Sequence, residues 1–140
     1  MAFRSSLLRK TALASAMAAA FATVGAVPAF AASDHGISGT VYDPCSGKIW
    51  FESTNARTKA GTGAVKAEFS SINPGGLAWK LLGKSNQQYG SEEEWTGSET
   101  GIWRTFDSSM KTGTVFYNDF KEYNGACSEH SYNFSGTEYY

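Results

Sequence analysis

The sequence predicts an all-β fold: a single small antiparallel sandwich of about seven strands, Ig-like or Greek key, tied by one disulfide. Three observations predict it. After residue 31, short apolar runs alternate at a period of two, and no stretch sustains the longer period of an amphipathic helix. Gly, Ser, Thr and Asn fill the gaps between these runs, the punctuation of turns. Seventeen of the 109 residues beyond position 31 are aromatic. A domain this small buries only about two-thirds of its unfolded surface, so rings that bring much apolar area per residue suit its core.

The elements follow in order. Ile37 to Tyr42 reads as a strand, Asp43 to Gly47 as a Pro/Gly turn, and Lys48 to Phe51 as the returning arm of a hairpin. Asn55 to Gly63 is polar and reads as a loop. Ala64 to Phe69 alternates, with Val65, Ala67 and Phe69 on one face and Lys66 and Glu68 on the other. Asn73-Pro74-Gly75-Gly76 is a turn, and Leu77 to Leu82 a strand with Leu77, Trp79 and Leu81 in step. Gly83 to Gly97 is polar and reads as a connection. Thr100 to Phe106, Thr114 to Tyr117 and Ser131 to Tyr140 supply the last three strands. Trp50, Trp79 and Trp103 sit within apolar runs and are expected in the core.

Residues 1–31 have the layout of a secretory signal peptide, and residues 32–140 form the expected secreted β domain. Arg4, Arg9 and Lys10 make a basic start, Thr11 to Val27 is apolar and uncharged, and Ala29 and Ala31 are the small residues before the cut. The apolar run is shorter than the roughly 20 residues a membrane span needs. The expected product is extracellular, soluble and monomeric, with no membrane attachment after cleavage. Three of the 12 basic residues leave with the signal and none of the 13 acidic ones, so the remainder carries nine against thirteen, a net charge near −4. With no Lys/Arg cluster, nucleic acid is not an expected partner. Cys45 and Cys127 are the two cysteines, an even count in an exported chain, and one bridge between them is expected. It would close an 82-residue loop, worth about 4.5 kcal/mol at most in the chain-entropy account.

Gly113-Thr114-Val115-Phe116, the late Cys127 and the ending Phe134 to Tyr140 resemble the small secreted β-domain proteins of streptomycetes and related actinobacteria. The resemblance covers the signal and about the last thirty residues. It implies fold and compartment, and no activity. Tyr117 to Tyr123 with Gly125 is similar to the aromatic, spacer, aromatic, any residue, Gly pattern of the βγ-crystallin Greek key, with a spacer of five residues where that family has four.

Catalytic signatures are thin. The two histidines of the mature region, His35 and His130, have no Gly-x-Ser-x-Gly elbow to serve. No paired Cys or His spacing suits zinc, and copper at Ser33-Asp34-His35 would require cleavage after Ala32. No metal or cofactor is expected. The carboxylates alone could support a small secreted hydrolase, the alternative to a non-catalytic binding protein, hydrolase inhibitor or toxin-like effector. The residues favour binding, with an unidentified protein or cell-surface ligand. The candidate surface is Glu92-Glu93-Glu94 followed by Trp95: three like charges that no stability argument places together, beside a ring able to anchor a partner; the alternative reading is a solvated turn with Trp95 folded onto the sandwich. Intact-mass spectrometry of secreted protein should show the loss of 31 residues and of two hydrogens. A retained leader, or a thiol that alkylates without reduction, refutes that processing.

Overall fold

The computed structural model describes residues 31–45, 47, 49–123 and 129–140. Among them are nine strands and no helix: β1 (Asp34–Tyr42), β2 (Phe51–Glu52), β3 (Arg57–Thr58), β4 (Val65–Ser71), β5 (Leu77–Leu82), β6 (Gln88–Trp95), β7 (Arg104–Asp107), β8 (Val115–Glu122) and β9 (Ser131–Tyr139). Among the described residues, therefore, no helix is long and apolar enough to cross a membrane. The strands form two antiparallel sheets. One runs β1-β9-β4-β7; the other runs β2-β8-β5-β6, with β3 also on β8.

Alternation explains which faces meet. Val65, Ala67 and Phe69 of β4 are buried, as are Leu77, Trp79 and Leu81 of β5. These inward residues join Ile37, Val41, Phe106, Phe116, Phe120 and Phe134 in one apolar cluster shared by both sheets. Ring pairs cross between the layers: Phe69 lies 5.5 Å from Trp79 and 5.0 Å from Trp95, and Phe120 lies 4.6 Å from Phe134. All fall in the range where tilted and edge-to-face aromatic contacts are favourable.

Several expected elements are corrected. Of the expected hairpin arm Lys48 to Phe51, Lys48 lies outside the described residues, and the rest does not return on β1, because β1 pairs with β9 in one sheet while β2 pairs with β8 in the other. The polar stretch Gly83 to Gly97 is not a plain connection: it contains β6, paired with β5 from Leu77↔Trp95 to Leu82↔Gln88. Two-residue β3 falls in the expected loop Asn55 to Gly63. Trp79 is buried as expected, but Trp50 is only half-buried and Trp103 is 40% exposed. Trp95 takes the core place instead, with 0% exposure.

One glycine explains why β6 is hard to see in the sequence. Gly90 has φ +64°, and a Cβ there would collide with the Phe106 carbonyl oxygen. The β5–β6 register shifts between Trp79 and Leu81, so Trp79 faces Glu93 while Leu81 faces Tyr89. This irregularity breaks the alternation of β6 and lets it press against β7 of the opposite sheet, closing that edge of the molecule.

The exchange of roles between two tryptophans is measurable. Trp95→Ala should cost about 3–5 kcal/mol of unfolding free energy, and the surface change Trp103→Ala no more than about 0.5 kcal/mol, both read by urea denaturation. Equal losses would overturn the placement of the two rings.

Candidate functional site

Glu92, Glu93 and Glu94 share one surface, which is built differently from its reading in the sequence. Glu92, Glu93 and Glu94 lie near the end of β6, the edge strand of its sheet, and both strand faces therefore reach the rim of one shallow depression of about 390 Å³. Thr96, Glu99, Arg104 and Tyr123 complete its lining. Trp95 is not exposed beside the glutamates: it points the other way, into the core. Its indole N–H donates to the Ile102 carbonyl at 2.8 Å, and the Arg104 guanidinium lies 5.5 Å from its ring centroid. Trp95 thus underlies the site and positions Arg104, without presenting an apolar anchor.

The charges are partly compensated. Arg104 Nη2 donates to Glu99 Oε1 at 2.8 Å, and the Thr96 backbone N–H donates to Glu99 Oε2 at 2.8 Å. The Thr96 amide, followed by Arg104, holds the Glu99 carboxyl below its ordinary value. Lys121 Nζ reaches Glu92 Oε1 at 3.2 Å, and Ser91 Oγ donates to Glu93 Oε1 at 2.6 Å. The Glu94 carboxylate beside the Tyr123 hydroxyl pushes that phenol upward. Glu99, Arg104 and Tyr123 are the residues that sequence reasoning missed. Tyr123 was visible only as the second aromatic of the crystallin-like pattern, and the pairing of Glu99 with Arg104 depends on a turn.

Acid catalysis asks for a carboxylic acid that holds its proton near neutral pH and also faces substrate. Here those properties are separated. Glu138 of β9 is pushed up to about 7, first by burial, against the favourable Asn118 and Arg57 contacts. It accepts from Asn118 Nδ2 at 2.9 Å, lies 3.7 Å from Arg57 Nε, and has 0% exposure, sealed between the sheets. Glu99, which does line the depression, is pushed the opposite way. Among the described residues, no group of three or more His, Cys, Asp or Glu side chains is arranged to hold a metal ion.

A second opening lies at the opposite edge, a groove of about 270 Å³ between Ser38–Val41 of β1 and the Phe51–Thr54 segment. Its floor is Phe120 and Phe134, and its walls carry no cluster of ionisable groups.

No protein-family model matches this chain, and neither the curated proteins nor the solved structures contain a significant match to it.

Glu138 generates a pH prediction. Its folded value, about 7, is above its ordinary 4.5, so the folded state holds the proton more tightly than the unfolded one. The resulting stability is fully present below pH about 4.5 and is lost as pH rises through about 7, a span of roughly 3 kcal/mol at most. Glu138→Gln should flatten this part of the profile and raise stability at alkaline pH relative to wild type. Parallel wild-type and variant profiles from pH-resolved denaturation would refute it.

Proposed function

We propose that this chain is an exported, non-catalytic binding domain that engages a basic partner through the acidic depression of β6. The observation that carries the reading is the convergence of Glu92, Glu93, Glu94 and Glu99 on one open surface with Arg104 the one cation lining it among the described residues. Such a patch speeds encounter with a basic surface and disfavours acidic ones. The separation of the proton-holding Glu138 from this surface argues against the alternative, a carboxylate-dependent hydrolase.

Export, processing and the bridge belong to the same proposal. The sheet ladder starts just beyond the proposed cut: Ser33 N–H donates to Tyr140 O at 3.2 Å. Residues 1–30 and Cys127 lie outside the described residues. Cys45 is exposed in the turn three residues beyond β1, and hydrogen bonds join Asp43 N–H to His130 O (3.0 Å) and Glu129 N–H to Asp43 O (3.1 Å). Positions two residues from each cysteine are therefore held together, which supports a Cys45–Cys127 bridge. Strand neighbours far apart in sequence support an Ig-like or Greek-key connectivity, and fold and compartment are compatible with the secreted actinobacterial β-domain group.

The test uses the mature domain against fluorescent oligolysine and oligoglutamate. Binding should favour oligolysine and weaken with salt. Glu93→Gln combined with Glu94→Gln should lower the association rate roughly tenfold and leave the thermal melt unchanged. Equal binding of the two peptides, or an unaltered rate in the folded double variant, overturns the proposal.

A further inference from the structure

The outward face of the β1-β9-β4-β7 sheet is chemically unlike the acidic depression. Its residues are placed in cross-strand rows by an unbroken β1–β9 register and by the β4–β9 pairing. One row holds Asp34, Tyr139 and Lys66, and the next Gly36, Thr137 and Glu68. Beyond them Ser38 stands opposite Ser135, and Thr40 opposite Asn133. The hydroxyls are already organised: Ser70 Oγ and Ser135 Oγ are 3.0 Å apart, and Thr40 Oγ1 donates to Asn133 Oδ1 at 2.7 Å. Nine paired residues at the usual strand rise make the face about 30 Å long.

Two rings stand at one end of this polar strip. Lys66 Nζ lies 5.1 Å from the Trp103 ring centroid and 5.0 Å from that of Tyr139. Among the described residues this ammonium has no carboxylate or carbonyl partner, so its three donors stay available between two aromatic faces. Trp103 and its neighbour Ile102 are 40% and 47% exposed. The backbone brings them there: Gly101 N–H donates to Phe69 O at 2.8 Å, anchoring the segment beside β4.

We propose that this face is a binding platform for a neutral polysaccharide chain, with Trp103 and Tyr139 lying against sugar rings and Lys66 and the hydroxyl rows bonding their hydroxyl groups. A sugar ring has an apolar C–H face that matches an aromatic ring, and a rim of groups that both donate and accept. The platform offers the same mixture: Lys66 donates, Asp34 and Glu68 accept, and Ser, Thr and Asn do both. A polyanion is disfavoured because Asp34 and Glu68 outnumber Lys66 on the face. An apolar protein partner would bury the hydroxyl rows without partners, at a desolvation cost for each. The length suits an extended chain better than a single sugar.

The mature secreted protein is tested for retention on insoluble cellulose, chitin and xylan, with immobilised heparin as the polyanion control. Retention on at least one neutral polysaccharide, competed by soluble oligosaccharide of the same sugar, is expected. Trp103→Ala should reduce it at least tenfold with an unchanged melt, and Ser38→Arg should block the platform independently. Trp50→Ala, on the other sheet, should leave retention unchanged, as should the combined Glu93→Gln and Glu94→Gln change. No retention on the three polysaccharides, retention on heparin alone, or full retention by folded Trp103→Ala and Ser38→Arg overturns the proposal.

Discussion

The contact on which the molecule depends is the packing of Trp79 at the junction of the two sheets. Its ring meets Phe69 across the layers and Phe106 at 5.0 Å, with Phe120 at 4.8 Å and Trp95 at 6.1 Å. Its indole N–H cannot be left unpaired at this depth, and Asn118 Oδ1 accepts it at 3.2 Å. The Asn118 amide is thereby oriented so that its Nδ2 donates onward to Glu138. An apolar requirement thus starts a polar chain running from β5 through β8 to β9, with Arg57 of β3 at its end. Glu138 Oε1 has no hydrogen-bond partner in that chain, and this shortfall favours the protonated acid.

Closure of one edge decides where the acidic surface can form. Gly90 permits β6 to approach the Phe106 carbonyl, and Trp95 then turns inward against Phe69 and beneath Arg104. The inward ring leaves the glutamates of the same strand at the rim. The outer face of the other sheet takes no part in this closure and keeps its rows in register. The two surfaces proposed for recognition therefore share a core and no side chains.

Much of the sheet framework was legible because β4 alternates and its inward residues are the ones buried, and because β5 is a compact apolar run, buried at every position but Lys80. Composition and turn punctuation likewise pointed to an all-β fold. The acidic run was legible as charge, but its place on a strand was not. Gln88 to Glu94 contains few apolar residues, and the shifted register at Gly90 removes the period that pattern reading uses. The tryptophans show a second limit. Trp103 lies in an apolar run and is exposed; Trp95 lies among polar residues and is buried. Local hydropathy describes neighbours in sequence, whereas burial follows cross-strand pairing, here Trp95 opposite Leu77. The hairpin expected from Ile37 to Phe51 failed for a related reason, since a turn signal does not say which sheet receives the next strand.

The four indoles also divide the protein optically. Trp79 and Trp95 form a close pair in an apolar interior, while Trp103 faces solvent and Trp50 rests against the ammonium groups of Lys80 and Lys121, 3.7 and 4.3 Å from its ring centroid. Emission from the interior pair lies toward shorter wavelength than emission from Trp103. Their mutual proximity also couples their electronic transitions, giving a near-ultraviolet dichroism that depends on the two rings keeping their relative orientation. One molecule therefore carries two intrinsic reporters: the coupled pair follows integrity of the packed layers, and Trp103 follows events on the outer face.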